Sequence, residues 1–154
     1  MARSKETDGR KVVCRNRRAL HDFFIDERIE AGLVLRGTEV KSLRDSSASL
    51  QDAYATVVGG EVYLVNMNIP PWPGAAYFNH DPKRRRKLLL HAKQIQKLLQ
   101  EIQQRGCTLV PLSVYFTEKN RAKVELGIAR GKRQYDKRHA IRERDERRQS
   151  ERES

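Results

Sequence analysis

A chain of 154 residues, 38% of them apolar, holds material for one hydrophobic core but not for two. It has no apolar run of the ~18 residues a membrane span needs, and its start, MARSKETDGRK, lacks the apolar stretch of a secretory signal, so the expected compartment is the cytosol. The formal net charge of +12, segregated along the chain, suits a polyanionic partner; nucleic acid ranks ahead of an acidic protein or plain solvation, and ahead of a membrane surface because no amphipathic basic helix with large apolar anchors accompanies the charge.

From Lys11 to Leu35, short apolar groups (Val12-Val13, Phe23-Phe24-Ile25, Leu33-Val34-Leu35) alternate with charged residues and Gly32, the text of strands with a bulge or bend. Gly37 closes that stretch. Thr38, followed by Glu39, Val40 and Leu43, predicts a single capped helical turn, and Asp45 to Ser49 supplies loop chemistry. Residues 54–58 and 61–67 are β-propensity runs separated by Gly59-Gly60, which predicts a hairpin. The prolines of Ile69-Pro70-Pro71-Trp72-Pro73-Gly74 remove ladder donors, so residues 68–82 are expected as a long loop. Between His91 and Arg105, Ile95, Leu98, Leu99 and Ile102 fall at i, i+3, i+4 and i+7, the stripe of an amphipathic helix, with Gly106 at its C-cap. Period-two text then returns in Val110, Leu112, Val114 and Phe116, turns through Glu118 to Arg121, and resumes in Ala122, Val124, Leu126 and Ile128.

Six or so short antiparallel strands with one substantial helix point to a mainly β domain over residues 1–130. The architecture is a small closed or partly closed barrel, of which the oligonucleotide-binding fold is the commonest nucleic-acid form. From His139 onward only Ala140 and Ile141 are apolar, so residues 131–154 read as a flexible basic tail. Its Arg and Glu content, with Glu143 and Arg147 at i, i+4, suits a helix formed on binding.

Positive charge is segregated. Residues 1–18 carry seven basic and two acidic side chains, Lys83-Arg84-Arg85-Arg86-Lys87 adds five positives, and residues 131–154 carry nine basic against six acidic, whereas residues 19–82 hold four basic and nine acidic. The catalytic signals are missing by comparison. His21, His80, His91 and His139 show no HxxxH spacing, and neither a phosphate-binding GxxxxGK[ST] loop nor a GxSxG elbow occurs. Cys14 and Cys107 form no CxxC pair and read as reduced core residues. No enzyme activity, metal or cofactor is expected.

Asn16-Arg17-Arg18, then Glu30 and Gly32, then Gly37 to Arg44 group short polar side chains, glycines and charges. That mixture suits contact with RNA backbone and bases, and it equally suits turn chemistry. The segments NRRALHDFFIDERIEAGLVLRGTEVKSLRDSSASLQDAYA, NHDPKRRRKLLLH and GKRQYDKR, in this order and spacing, resemble the small protein B family, the SsrA-binding or tmRNA-binding proteins of bacterial trans-translation. The resemblance spans most of the chain.

It implies a closed six-stranded antiparallel barrel of oligonucleotide-binding type with flanking helices. It implies binding to the tRNA-like domain of transfer-messenger RNA (SsrA RNA), and entry with that RNA into stalled 70S ribosomes. There the tail would occupy the decoding centre and message channel. Elongation factor Tu and alanyl-tRNA synthetase are implied partners through the charged RNA; DNA and membranes are not. On matching positions the resemblance assigns RNA contact to Asn16, Arg17, Glu30, Gly37, Lys41, Leu89 and His91, and ribosome contact to Lys132, Arg133, Tyr135, Asp136, Lys137 and Arg138. Arg133 stands at a lysine position of the family pattern, and residues 142–154 contain none of the apolar or aromatic residues that many family tails carry. Leu88 to Leu90 also fits plain core leading into the helix, His91 an ordinary helix start, and the 132–138 run a solvated linker. Two other classes compete on charge and size, a structural ribosomal protein and an RNA-processing enzyme.

Overall fold

The computed structural model describes residues 10–45, 48–75 and 79–131. The tail positions Lys132, Arg133, Tyr135, Asp136, Lys137 and Arg138 lie outside the described residues. Two local signals set the strand text. Gly59 and Gly60 have φ of 58° and 77°, the double left-handed geometry of a two-residue hairpin turn, and they join β3 (Tyr54–Val58) to β4 (Glu61–Val65) in the register Val58↔Glu61 to Tyr54↔Val65. Asn120, at φ 60°, turns β6 (Thr108–Phe116) into β7 (Ala122–Gly131).

β1 (Lys11–Arg15) leads into a short helix α1 (Arg17–Asp22), and β2 (Phe23–Leu33) follows directly. The period-two reading passed over α1 because only Ala19 of its six residues is buried, which leaves no apolar stripe. α2 (Gly37–Asp45) extends well beyond the single turn expected. Its N-terminal device also differs from the expected Thr38 cap. The Glu39 carboxylate reaches back three residues to accept the Arg36 backbone N–H at 2.8 Å, half of a capping box. The described parts of the expected loop, residues 68–75 and 79–82, contain no helix or extended strand and are anchored by the isolated bridge Ser49↔Asn68 and by Ile69 N–H on the Pro82 carbonyl.

β5 (Arg86–Leu89) lies inside the basic run, where the charge pattern hid it. α3 (Ala92–Arg105) closes at Gly106, whose φ of 65° and N–H on the Ile102 carbonyl make the expected left-handed C-cap.

All strand pairs are antiparallel, in the order β1-β6-β3-β4-β5-β2-β7, and β6 pairs with β7 as well. Bulges at β1, β2 and β6 bend the strands, and Pro111 sits beside the β6 bulge, where a missing N–H is tolerated. Inward positions of the strands (Ala31, Leu33, Val62, Leu64, Leu88, Val114, Val124, Leu126, Ile128) form one core with Leu98 of α3. Cys14 and Cys107 are buried free thiols.

Candidate nucleic-acid interface

The basic run is divided by strand alternation. Arg86 points inward and is wholly buried with Glu39; its Nε donates to Glu39 Oε2 at 2.5 Å, its Nη1 to the Met67 carbonyl at 2.7 Å and its Nη2 to the Pro82 carbonyl at 3.1 Å. Arg84 reaches the same carboxylate, Nη2 to Oε1 at 2.6 Å. Burial pushes the Glu39 carboxyl up, but the Arg84, Arg36 and Arg86 donors outweigh it and hold the group below the usual carboxylate range. Lys87 pairs with Glu61 at 2.9 Å, and the Arg85 guanidinium lies 4.1 Å from the centre of the Tyr63 ring.

The same inward side ties α2 to the loop. His80 is buried between the Thr38 hydroxyl and the Ile69 carbonyl, each 2.9 Å from a ring nitrogen, and the Ser42 hydroxyl donates to the Pro70 carbonyl. Lys41, exposed on α2, places Nζ 4.6 Å from the centre of the Trp72 ring, and the Trp72 indole N–H donates to Asp45 at 3.3 Å. The GTEVKSLR and NHDPKRRR strings are therefore partners of each other. Part of the charge read as polyanion-binding neutralises a buried acid instead.

The outward positions of β2, β5, β6 and β7 make a different surface. Gly32 is paired with Leu89 on one side and Lys123 on the other, and Lys123 with Tyr115. Glu30 is two residues from Gly32 on the same face, opposite Glu125. Leu89 is 55% exposed, the most exposed large apolar side chain among the described residues. Gly32 explains how it lies flat, since a Cβ there would come within 3.2 Å of the Leu89 Cβ.

Tyr115 is only 2% exposed on this outer face, because Arg10 covers its ring at 4.9 Å, and its hydroxyl donates to Glu30 Oε2. Burial first, then the bond to Glu30, pushes the phenol far above its ordinary range, so the hydroxyl stays a donor. Arg10 and Lys123 stand 3.8 and 3.9 Å from the Glu30 carboxylate oxygens. Tyr115, Lys123 and Arg10 were not among the expected contacts. A signal for Tyr115 existed: it falls out of phase with Val114 and Phe116, an aromatic ring on the solvent side of a strand.

The other expected contacts sit as follows. Asn16 is buried as the N-cap of α1; its Oδ1 accepts the Ala19 N–H at 3.2 Å and its Nδ2 donates to the Pro111 carbonyl at 3.0 Å, so its amide caps the helix that begins at the exposed Arg17 rather than standing free. Gly37 opens α2 at the surface, and a Cβ there would meet nothing, so packing does not require a glycine. His91 is the exposed N-cap of α3, and its backbone N–H donates to the Gln94 side chain at 3.0 Å. Leu88 is core and Leu90 packs against it, which leaves Leu89 alone as the outward member of the trio. Among the described residues no group of three or more His, Cys, Asp or Glu could hold a metal, and no helix is long and apolar enough to cross a membrane.

A mainly antiparallel sheet with flanking helices, presenting an exposed aliphatic side chain among cations and one fixed carboxylate, has the features of a sheet-based nucleic-acid binder. Comparison with known proteins is specific. The chain belongs to the SmpB protein family, whose model matches residues 13–154. It is 55% identical over 144 residues to the SsrA-binding protein of Leifsonia xyli subsp. xyli, covering 94% of this chain and 90% of the relative. It is 54% identical over 155 residues to that of Thermobifida fusca (99% and 96%), and 51% identical over 141 residues to that of Geobacter sulfurreducens (92% of each). A chain from a solved structure described as "tmRNA-SmpB: a journey to the center of the bacterial ribosome" matches with a TM-score of 0.65 and 51% identity, over 77% of this chain and 82% of that one.

Proposed function

We propose that this chain binds the tRNA-like domain of transfer-messenger RNA and delivers it to stalled ribosomes for trans-translation, tagging the incomplete peptide. Family membership supports the function, and one observation carries the location: Leu89 lies exposed over Gly32, beside Glu30 and Lys123, on the outer face of the sheet. An aliphatic surface there suits an unstacked base or sugar of an RNA loop, and the flanking cations suit its phosphates. Glu30 and Leu89 then form the centre of the contact, Arg17, Gly37, Lys41 and His91 its periphery, and Asn16 the cap of the helix that begins at Arg17.

The pairing of β6 with both β3 and β7 supports a closed six-stranded barrel of oligonucleotide-binding type, with β1 added outside the ring. Residues 1–130 make the RNA-binding domain. In the same reading residues 131–154 are the tail that enters the decoding centre and message channel, with Lys132, Arg133, Lys137 and Arg138 on phosphates and Tyr135 stacked on ribosomal RNA. Elongation factor Tu and alanyl-tRNA synthetase join through the charged RNA, the compartment is the cytosol, and the protein itself is not an enzyme.

The test is binding of a tRNA-like-domain transcript against unrelated duplex DNA at physiological salt, with the full chain and with a chain ending at Arg130. Strong preference for the transcript by both chains, with loss of peptide tagging on stalled ribosomes only for the short one, is the expected result. Equal affinity for unrelated duplexes overturns the RNA assignment, and loss of RNA binding by the short chain overturns the division of labour.

A further inference from the structure

Among the described residues, the Glu30 carboxylate is the acceptor-only side chain on the outer face whose position is fixed from three directions. The Tyr115 hydroxyl donates to Oε2, Arg10 stands 3.8 Å from the same oxygen, and Lys123 stands 3.9 Å from Oε1. Its side chain is still 44% exposed, so lone pairs remain for a ligand. Leu89 stands opposite Gly32, and Gly32 is two residues from Glu30 on the same side of β2, roughly 6–7 Å along the strand. A flat apolar surface and a fixed double acceptor at that separation are the two requirements for gripping one planar ring by its face and its edge.

The chemistry selects the ring. A carboxylate only accepts hydrogen bonds, and it accepts best when two parallel donors meet its two oxygens. Unpaired bases are read on their Watson–Crick edges. On that edge adenine and cytosine each offer an amino donor beside an acceptor nitrogen, and uracil offers one imino donor between two carbonyls. Guanine alone offers two adjacent donors, N1–H and the N2 amino group. We propose that the Glu30–Leu89 surface holds one unpaired guanine of the bound RNA, with Leu89 against the face of the base, Glu30 accepting from N1–H and N2–H, and Tyr115 as the positioning residue that fixes Glu30. This rests on the RNA-binding reading above and adds a base identity to it.

The probe is a pool of tRNA-like-domain transcripts in which inosine, lacking the N2 amino group, replaces guanine at random single positions. Protein-bound and unbound fractions are separated and the substituted positions mapped. With the unaltered full chain, one unpaired guanine is expected to be strongly depleted from the bound fraction, an affinity loss of about tenfold. With Glu30→Gln that position alone becomes insensitive to inosine. With Tyr115→Phe it stays the sensitive position but with a smaller penalty, whereas a merely structural tyrosine would lower affinity equally for every member of the pool.

Circular dichroism melts of both variants establish that they are folded, and Leu89→Ala supplies a second folded variant that weakens the same position. Binding of the pool without any sensitive unpaired guanine overturns the base assignment and leaves the RNA reading standing. Sensitivity that persists in Glu30→Gln also overturns it. Failure of the unaltered protein to bind the transcript overturns both.

Discussion

Arg86 donates through Nε to the Glu39 carboxylate at 2.5 Å, and neither side chain has any exposed surface. The two residues are 47 positions apart, one at the start of α2 and the other opening β5. Arg84 adds a second guanidinium to the same carboxylate, and the Met67 and Pro82 carbonyls take the remaining Arg86 donors. The pair fastens helix, loop and strand to one another beside the core residues Leu43, Met67 and Ile69.

Removing Glu39 leaves the buried Arg86 charge without its carboxylate, and removing Arg86 leaves Glu39 with Arg84 alone; breaking a buried pair in this way costs on the order of 3 to 5 kcal/mol. Arg86→Met and Glu39→Gln are each expected to lower the urea unfolding free energy by about that amount. The double variant, with both charges gone, is expected to lose less than the two single losses combined. A single variant within about 1 kcal/mol of the parent would show that the network contributes little.

Acid sensitivity follows from the same carboxyl. Glu39 is held below its ordinary value near 4.5, so the folded state binds its proton less readily than the unfolded chain does. Its contribution is therefore fully present above the unfolded value and is lost as pH falls toward and through the lower folded value. Urea midpoints measured from neutral pH down to about pH 3 should fall for the parent and fall less steeply for Glu39→Gln. Parallel curves would assign the acid loss to other carboxylates.

Adjacent leucines should separate stability from binding. Leu88→Ala removes a core side chain and is expected to cost roughly 2 to 5 kcal/mol of folding free energy. Leu89→Ala, on an exposed side chain, is expected to change stability by no more than about 0.5 kcal/mol. The latter should weaken binding of a tRNA-like-domain transcript about tenfold or more, the equivalent of one leucine side chain buried in the complex. Unchanged affinity in Leu89→Ala would move the RNA site off this face.

Salt separates phosphate contacts from base contacts. The logarithm of affinity for the transcript should fall linearly with the logarithm of salt concentration, and Arg17→Ala, removing one exposed cation, should reduce the slope by roughly one. Glu30→Gln should lower affinity with the slope unchanged. A titration series at four or five salt concentrations distinguishes the two behaviours.

Both glycine- or asparagine-turned hairpins, α3 and its Gly106 cap were legible because each depends on neighbours a few residues away. A two-residue turn needs its own positive φ values, and an amphipathic helix announces its period within its own length. α1 was hidden because six residues with one buried alanine carry no period. β5 was hidden because an arginine at an inward strand position looks like surface until Glu39 is known to face it. Site residues divide in the same way. Glu30 stood in a polar grouping that suited RNA contact and turn chemistry alike, and Leu89 was reached through the family strings, since a core reading covered Leu88 to Leu90 as well.

Charge, period and motif order are properties of the linear chain, and they already mark a basic, mainly β protein with a family signature for RNA binding. Which charges turn inward and which stay at the surface is settled by tertiary contacts. Arg84 and Arg86 turn inward because Glu39 must be neutralised away from water, and Leu89 turns outward because strand alternation and the missing Gly32 side chain leave it over the sheet.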